Sequence, residues 1–244
     1  MLDENRHVFP RHTRIEPPIV VGGEGCYLID RDGKRYLDGS GGAAVSCLGH
    51  GDPEVTEKIK AQLDRIAFAQ TAFMSSEPAE ALAALLAEKS PGLDRAFFVS
   101  GGSEAVEAAI KLARQYAIEV GRPSKHRIIS RRQSYHGSTL GALGAGGNAW
   151  RREPYAPLLV EASHIAPCYP YRDQRDDETA EQYGQRTANE LEAEIAAGDR
   201  DDATLEFELA TKAGELVPVE APSDKLPHVV HQLDSLPACE ASCP

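Results

Sequence analysis

The sequence lacks the features that mark a membrane, secreted or nucleic-acid-binding protein. Its 244 residues contain no run of about 18 apolar residues, and the first six lack the basic and then apolar order of a signal peptide. Positive charge is scarce: 26 Lys and Arg stand against 38 Asp and Glu, so no basic cluster is available to replace the counterions of a nucleic acid. We therefore expect a cytoplasmic protein without a membrane or nucleic-acid partner.

Paired cysteines and an obvious metal site are also missing. The cysteines are odd in number and mostly far apart, which is typical of reduced thiols rather than disulfides. They are Cys26, Cys47, Cys168, Cys239 and Cys243. His228 and His231, together with the last two cysteines, have the residue types of a zinc site, but the histidine spacing is atypical of structural zinc. We favour an incidental tail without a metal.

The N-terminal part of the chain shows a hairpin and a helix. Two β-prone runs, residues 26–30 and 34–38, flank Asp32-Gly33, which predicts a β-hairpin. The glycine- and alanine-rich residues 39–44 resist regular structure and could bring backbone close to a ligand. A helix is expected from Asp52-Pro53, since a capping residue followed by proline is a start signal. Its apolar face comprises Val55, Ile59, Leu63 and Ile66.

The middle of the chain alternates between helices and strands. A helix is predicted from Ser76 to the stop at residues 90–92, and a strand over residues 96–99. A glycine turn at 100–103 then opens an amphipathic helix that ends at Gly121, and residues 127–130 form a further strand. This alternation predicts an α/β fold with a mostly parallel sheet. A last helix is expected over 188–197, followed by a poorly ordered tail.

The glycine turn is the strongest local signal for chemistry. A helix N-terminus presents unpaired backbone N–H groups and partial positive charge, so Gly101, Gly102 and Ser103 could hold a phosphate. On these residues alone a plain connector is the commoner explanation. The turn is neither a P-loop nor a dinucleotide fingerprint, and the glycines of residues 141–147 resemble such a fingerprint only in composition.

Several motifs in the same order and spacing resemble the class III aminotransferases. Residues 98–114 (FVSGGSEAVEAAIKLAR) resemble the phosphate-binding turn and helix of that family, and residues 134–139 (SYHGST) resemble its ring-stacking segment. Residues 25–30, 36–39 and 48–53 precede them in the family's order. The similarity extends from about residue 14 to about residue 195. The chain is therefore identified as resembling the N-terminal half of a class III, or omega-type, aminotransferase.

The resemblance implies a fold, a cofactor and a set of site residues. The fold would be that of the fold type I transferases that depend on pyridoxal 5'-phosphate (PLP), with an incomplete large domain and an N-terminal small-domain segment. Gly102 and Ser103 would hold the PLP phosphate beside Gly101, and Tyr135 would stack on the pyridine ring with His136 next to it. The substrates would be an amine or amino acid and a keto acid such as pyruvate. Relatives are homodimers, in which residues 39–48 and 68–75 would line a neighbour's site.

The sequence departs from the family at its catalytic centre. A working transaminase needs a Schiff-base lysine and an aspartate on the pyridinium nitrogen, and neither family context is found here. Lys212 superficially resembles the lysine neighbourhood, but the chain between residues 195 and 212 is too short for the strands that should precede it. Lys111, on the helix after the turn, is expected to be a surface residue. No catalytic residue is identified.

These observations leave two hypotheses for the chain. It divides into an N-terminal segment with the hairpin (1–50), a partial PLP-binding large domain (51–197) and a divergent tail (198–244). Under the first hypothesis it is an aminotransferase truncated by a shifted or interrupted reading frame near Ala197, and inactive alone. Under the second it is a non-catalytic PLP- or phosphate-binding or dimerisation partner. In either case unpaired sheet edges would favour aggregation.

Overall fold

The fold is described from a computed structural model, which covers residues 7–9, 11 and 14–197 and the backbone of 205–206. The described residues form two compact units, one up to Ser75 and one from Ser76. The boundaries expected at residues 50/51 and 197/198 stay predictions, and the first of them falls inside the first unit.

The first unit contains a three-stranded antiparallel sheet. Its strands are β1 (Val20–Glu24), β2 (Tyr27–Asp30) and β3 (Arg35–Leu37), in that order across the sheet. The predicted hairpin is confirmed as β2 and β3. Asp30 holds its turn by accepting the hydroxyl of Tyr36 at 2.7 Å and the backbone N–H of Lys34 at 2.9 Å. Gly33 has φ +80°, which the turn requires and glycine tolerates.

A short left-handed turn, α1 (Gly41–Ala44), follows the sheet. Four consecutive residues have positive φ, and two of them are the alanines Ala43 (+60°) and Ala44 (+70°). Asp38 braces this segment, since it accepts the Ser46 hydroxyl at 3.1 Å and lies 2.9 Å from His50 Nε2. The bond to His50 holds the pKa of Asp38 below its ordinary value. The expected irregular segment is thus a strained turn held by a carboxylate.

Helix α2 (Pro53–Arg65) starts at the predicted residue. Asp52 caps it by accepting the backbone N–H of Val55 at 2.9 Å, and Pro53 occupies the first helical position. The expected apolar face is present, and all four of its apolar residues are exposed to solvent. They are Val55, Ile59, Leu63 and Ile66.

The second unit begins with two long helices, α3 (Glu77–Lys89) and α4 (Gly102–Glu119), both where the sequence predicts them. The strand predicted over residues 96–99 is wrong, because these residues run as irregular chain between the two helices. A strand is stabilised by the ladder to its neighbour, and no strand of the described residues lies beside this segment. Phe97 is consequently 75% exposed.

A three-stranded parallel sheet forms the centre of the second unit. Its order is β5 (Ala162–Ile165), β4 (Ile128–Arg131) and β6 (Leu205–Glu206), and β4 pairs in parallel with both neighbours. The central strand is buried at its first three residues, as expected of a parallel strand flanked on both sides. The predicted parallel α/β arrangement is confirmed. Strand β6 lies within the tail predicted from residue 198 onward, so part of that tail pairs with the sheet.

Short helical segments connect β4 to β5. They are α5 (Leu140–Ala145), α6 (Ala149–Arg152) and a 3-10 helix (Glu153–Leu158). A single turn, α7 (Pro170–Asp173), then leads to α8 (Ala180–Ala197), which begins eight residues before the predicted start. The earlier start is stabilised by Arg186, which reaches back to Glu178 with bonds of 2.7 and 2.9 Å.

The described part of the chain holds no helix long and apolar enough to cross a membrane, and no cluster of His, Cys, Asp or Glu suited to a metal ion. Cys26, Cys47 and Cys168 are exposed and unpaired. The suggested zinc residues His228, His231, Cys239 and Cys243 lie outside the described residues, as does Lys212.

Candidate functional site

The glycine turn opens α4 as the sequence predicts. Gly101 is the N-cap residue, and its carbonyl accepts the first helical bond from Ala105 N–H at 2.9 Å. The N–H groups of Gly102, Ser103 and Glu104 have no carbonyl one turn earlier in the helix, so they point out from its positive end. The Glu104 carboxylate turns back to accept Ser100 N–H at 2.8 Å and braces the turn.

Within the described residues, nothing requires glycine at this turn. Gly101 has φ −168°, which any residue adopts, and neither it nor Gly102 has positive φ. A Cβ added at either position would meet no other atom within 4 Å. The described part of the chain therefore leaves space beside these two glycines, which could receive an anion that needs close approach to the backbone.

The segment after β4 docks onto this turn. Ser138 donates its backbone N–H to Ser103 Oγ at 3.0 Å. Gly137, with φ +137°, lies so close that an added Cβ would be 2.6 Å from the same oxygen. Because this segment leaves the carboxyl end of the central strand, the candidate site lies where ligands bind in open α/β sheets. The structure thus brings together the two motifs that sequence analysis identified separately.

Glu107 forms a second connection between α4 and the same segment. Its Oε1 accepts the backbone N–H groups of Gly141 at 2.9 Å and Ala142 at 3.1 Å. A hydrogen bond from the Thr139 side chain, reinforced by these two amides, holds the pKa of Glu107 below its ordinary 4.5. The carboxylate is ionised at neutral pH. A Cβ at Gly141 would lie 2.5 Å from Glu107 Oε2, so a side chain there would displace the carboxylate from its present position.

Tyr135 and His136 are neighbours in sequence but differ in exposure. The Tyr135 ring is 58% exposed, and the guanidinium carbon of Arg151 lies 5.2 Å from its centroid, within cation–π distance. His136 is 8% exposed. Burial, and secondly the charge of nearby His164, lowers the pKa of His136, so the imidazole is neutral at pH 7. Tyr135 can present a ring face to a ligand, whereas the assignment of His136 to the cofactor stays a prediction.

Other glycines near the site serve close packing. A Cβ at Gly144 would lie 2.8 Å from the Val160 carbonyl oxygen, and one at Gly147 would overlap the Arg131 carbonyl oxygen. Glycine here lets backbone segments touch. The resemblance of residues 141–147 to a dinucleotide fingerprint therefore has a structural explanation.

Sequence analysis missed three residues of this site: Glu107, Gly137 and Arg151. Glu107 follows Ser103 by four residues, so both lie on one face of α4. An acidic residue on the helix face that carries Ser103 was the available signal. Lys111 is exposed on the same helix, in agreement with its expected surface position.

Comparisons with known proteins identify the family. The model of the class III aminotransferases matches residues 9–208. An aminotransferase of Schizosaccharomyces pombe is 43% identical over 195 residues, which cover 79% of this chain and 42% of that protein. The chain belongs to the class III aminotransferase family, as the motifs predicted. It spans about two-fifths of the length of that relative.

Solved structures agree with the fold. An (S)-enantioselective omega-transaminase from Thermomicrobium roseum has a TM-score of 0.73 and 38% identity, and the match covers 81% of this chain and 45% of that one. An amine transaminase from an uncultivated Pseudomonas species, solved in its PLP-bound form, has a TM-score of 0.73 and 32% identity, with coverage of 83% and 48%. The expected partial fold of a PLP-dependent transaminase is confirmed.

Proposed function

We propose that this chain forms the phosphate-binding and ring-binding part of a PLP-dependent class III aminotransferase. The whole enzyme would transfer an amino group from an amine or amino acid to a keto acid such as pyruvate, in the cytoplasm. The observation that carries the proposal is the bond between Ser138 N–H and Ser103 Oγ, which joins the two family motifs at an open helix N-terminus.

The residues present fit the cofactor. The backbone amides of Gly102 and Ser103 would bind the phosphate at the positive end of α4, and Gly101 would leave space beside it. The exposed face of Tyr135 would restrain the ring plane. When bound, PLP supplies an electron sink for carbanion chemistry. His136, buried and neutral, would support Tyr135 from the core.

We expect the chain by itself to bind PLP without turning over substrates. A catalytic lysine has to reach the ring, and Lys111 is exposed on α4 two turns beyond Ser103. Lys212 stays a weak candidate for that role. Borohydride treatment of the PLP-loaded chain is therefore expected to leave the cofactor unlinked, and a link mapped to Lys212 would contradict this.

Exposed apolar residues support a dimer as the functional state. The two segments expected to line a neighbour's site carry large apolar side chains that face solvent in this chain: Val45, Leu48, Phe68, Phe73 and Met74. Burying such residues is the main favourable contribution to association. Two copies of the chain would bury these residues in a homodimer, whether the chain acts as part of the enzyme or as a non-catalytic dimerisation partner. Sedimentation of the full chain at increasing concentration tests this, and a monomer throughout would contradict it.

Binding measurements on the full chain test the cofactor site. We expect PLP to bind more tightly than pyridoxal, which lacks the phosphate, and inorganic phosphate to compete with it. Tyr135→Ala should lower PLP affinity about three- to tenfold, since one aromatic stacking contact is lost, and leave phosphate affinity unchanged. Tyr171→Ala is the matched control because Tyr171 is 85% exposed. Equal affinity for PLP and pyridoxal would contradict the proposed phosphate site.

A further inference from the structure

The segment that carries Tyr135 is attached to α4 at two points. Ser103 receives the backbone N–H of Ser138, and Glu107, four residues later on the same helix, receives those of Gly141 and Ala142. One attachment would let the segment pivot about Ser103. Two attachments on one helix face fix its orientation as well as its position.

Each attachment lies beside a glycine at which a side chain would meet the group that makes the attachment. A Cβ at Gly137 would lie 2.6 Å from Ser103 Oγ, and a Cβ at Gly141 would lie 2.5 Å from Glu107 Oε2. A side chain at either glycine would therefore disturb the neighbouring attachment. The second attachment also has a charged acceptor, and hydrogen bonds to ionised groups are stronger than neutral ones.

From these contacts we propose that Glu107 is a positioning residue for the cofactor site. It holds residues 139–142 on α4 and so sets the position of the Tyr135 ring relative to the backbone amides of Gly102 and Ser103. The inference rests on the proposed function, since it concerns the same site. The ring of Tyr135 is mostly exposed and contacts the guanidinium of Arg151. Its position is therefore set by the backbone on either side: Ser134, before it, bonds to Arg131 and Gly147, and Glu107 anchors the segment that follows.

A differential binding experiment tests this role. In the full chain, Glu107→Ala is expected to lower PLP affinity about tenfold, the effect of losing hydrogen bonds to a charged group. Affinity for inorganic phosphate, which uses only the amides of Gly102 and Ser103, should stay unchanged. Glu107→Gln keeps the side-chain oxygen as acceptor and should retain most of the PLP affinity. Glu119→Ala, at the exposed end of the same helix, is the matched control and should bind both ligands normally.

Three outcomes would overturn the inference. Unchanged PLP affinity in Glu107→Ala would show that the ring does not depend on this anchor. Equal losses for PLP and phosphate, with a lower Tm, would show a merely structural role. Failure of the wild-type chain to bind PLP at all would instead reject the proposed function, and this inference with it.

A milder variant covers the case in which Glu107→Ala does not fold. Thr139→Val removes the hydroxyl that bonds to Glu107 while keeping the branched shape of the side chain. We expect it to lower PLP affinity about threefold, as the loss of one modest hydrogen bond does, again with phosphate affinity unchanged. Wild-type PLP affinity in this variant would overturn the proposed link from Glu107 through Thr139.

Discussion

Two glycine-rich turns of this chain use glycine for different reasons. In the turn Gly41–Ala44 of the first unit, the chain's own backbone favours it, because four successive residues adopt positive φ. In the turn before α4, Gly101 and Gly102 have neither positive φ nor a close neighbour. Glycine at the first turn relieves strain within the protein. At the second turn no reason for glycine lies within the described residues, and the proposed phosphate would supply one.

A carboxylate of lowered pKa nevertheless lies near each turn. Asp38 collects bonds from Ser46 and His50 beside the first turn, and Glu107, on the helix that follows the second turn, collects bonds from the backbone amides of Gly141 and Ala142. The difference is in what each carboxylate holds. Asp38 stabilises a strained conformation, whereas Glu107 stabilises the approach of a distant segment to an unstrained helix end.

The largest effect is expected from blocking that approach. Gly137→Ala places a Cβ 2.6 Å from Ser103 Oγ and puts a side chain at φ +137°. We expect the free energy of unfolding to fall by about 2–3 kcal/mol, through overpacking and an unfavourable backbone conformation, and PLP binding to be lost. Denaturant unfolding and PLP titration measure both. Gly184→Ala serves as a control, since Gly184 has open space around it. A Gly137→Ala protein as stable as wild type would mean that the segment does not dock on α4.

A pair of alanine substitutions separates the two uses of glycine. Gly42→Ala is expected to lower the free energy of unfolding by about 1–2 kcal/mol, the cost of a left-handed non-glycine residue, with phosphate affinity unchanged. Gly102→Ala should leave stability unchanged but lower phosphate and PLP affinity about tenfold, since the anion can no longer reach the amides. Isothermal titration and chemical unfolding distinguish the two patterns. If Gly102→Ala instead lost stability and kept its phosphate affinity, the anion explanation would be wrong.

Sequence reasoning succeeded where the cause is local. The Asp-Gly turn predicted the hairpin, and the cap Asp52 with Pro53 predicted the start of α2, because both signals act within a few residues. The phosphate turn and the segment with Tyr135 were recognised through family motifs. The resemblance also predicted the fold class, which neither signal alone would have specified.

Sequence reasoning failed where the cause is distant. The apolar run at residues 96–99 has the composition of a strand, but strands also need a neighbour, and composition does not show one. The contact of Glu107 with Gly141 joins residues more than thirty apart, so no local pattern predicts it. The positive φ of Ala43 runs against alanine's own preferences, so residue type does not predict it.

The smallest expected effect is the response of the first turn to acid. The lowered pKa of Asp38, caused first by its bond to His50, means that the carboxylate stabilises the fold above its ordinary pKa of 3.8 and loses this contribution as pH falls through the lowered value. The backbone N–H of Gly42 also bonds to this carboxylate, so its amide signal in NMR spectra should titrate with a midpoint below 3.8. Asp38→Asn should abolish the transition, because the amide does not ionise. A midpoint above 3.8 would show that Asp38 lacks these bonds in solution, and the first turn would then be held by its glycines alone.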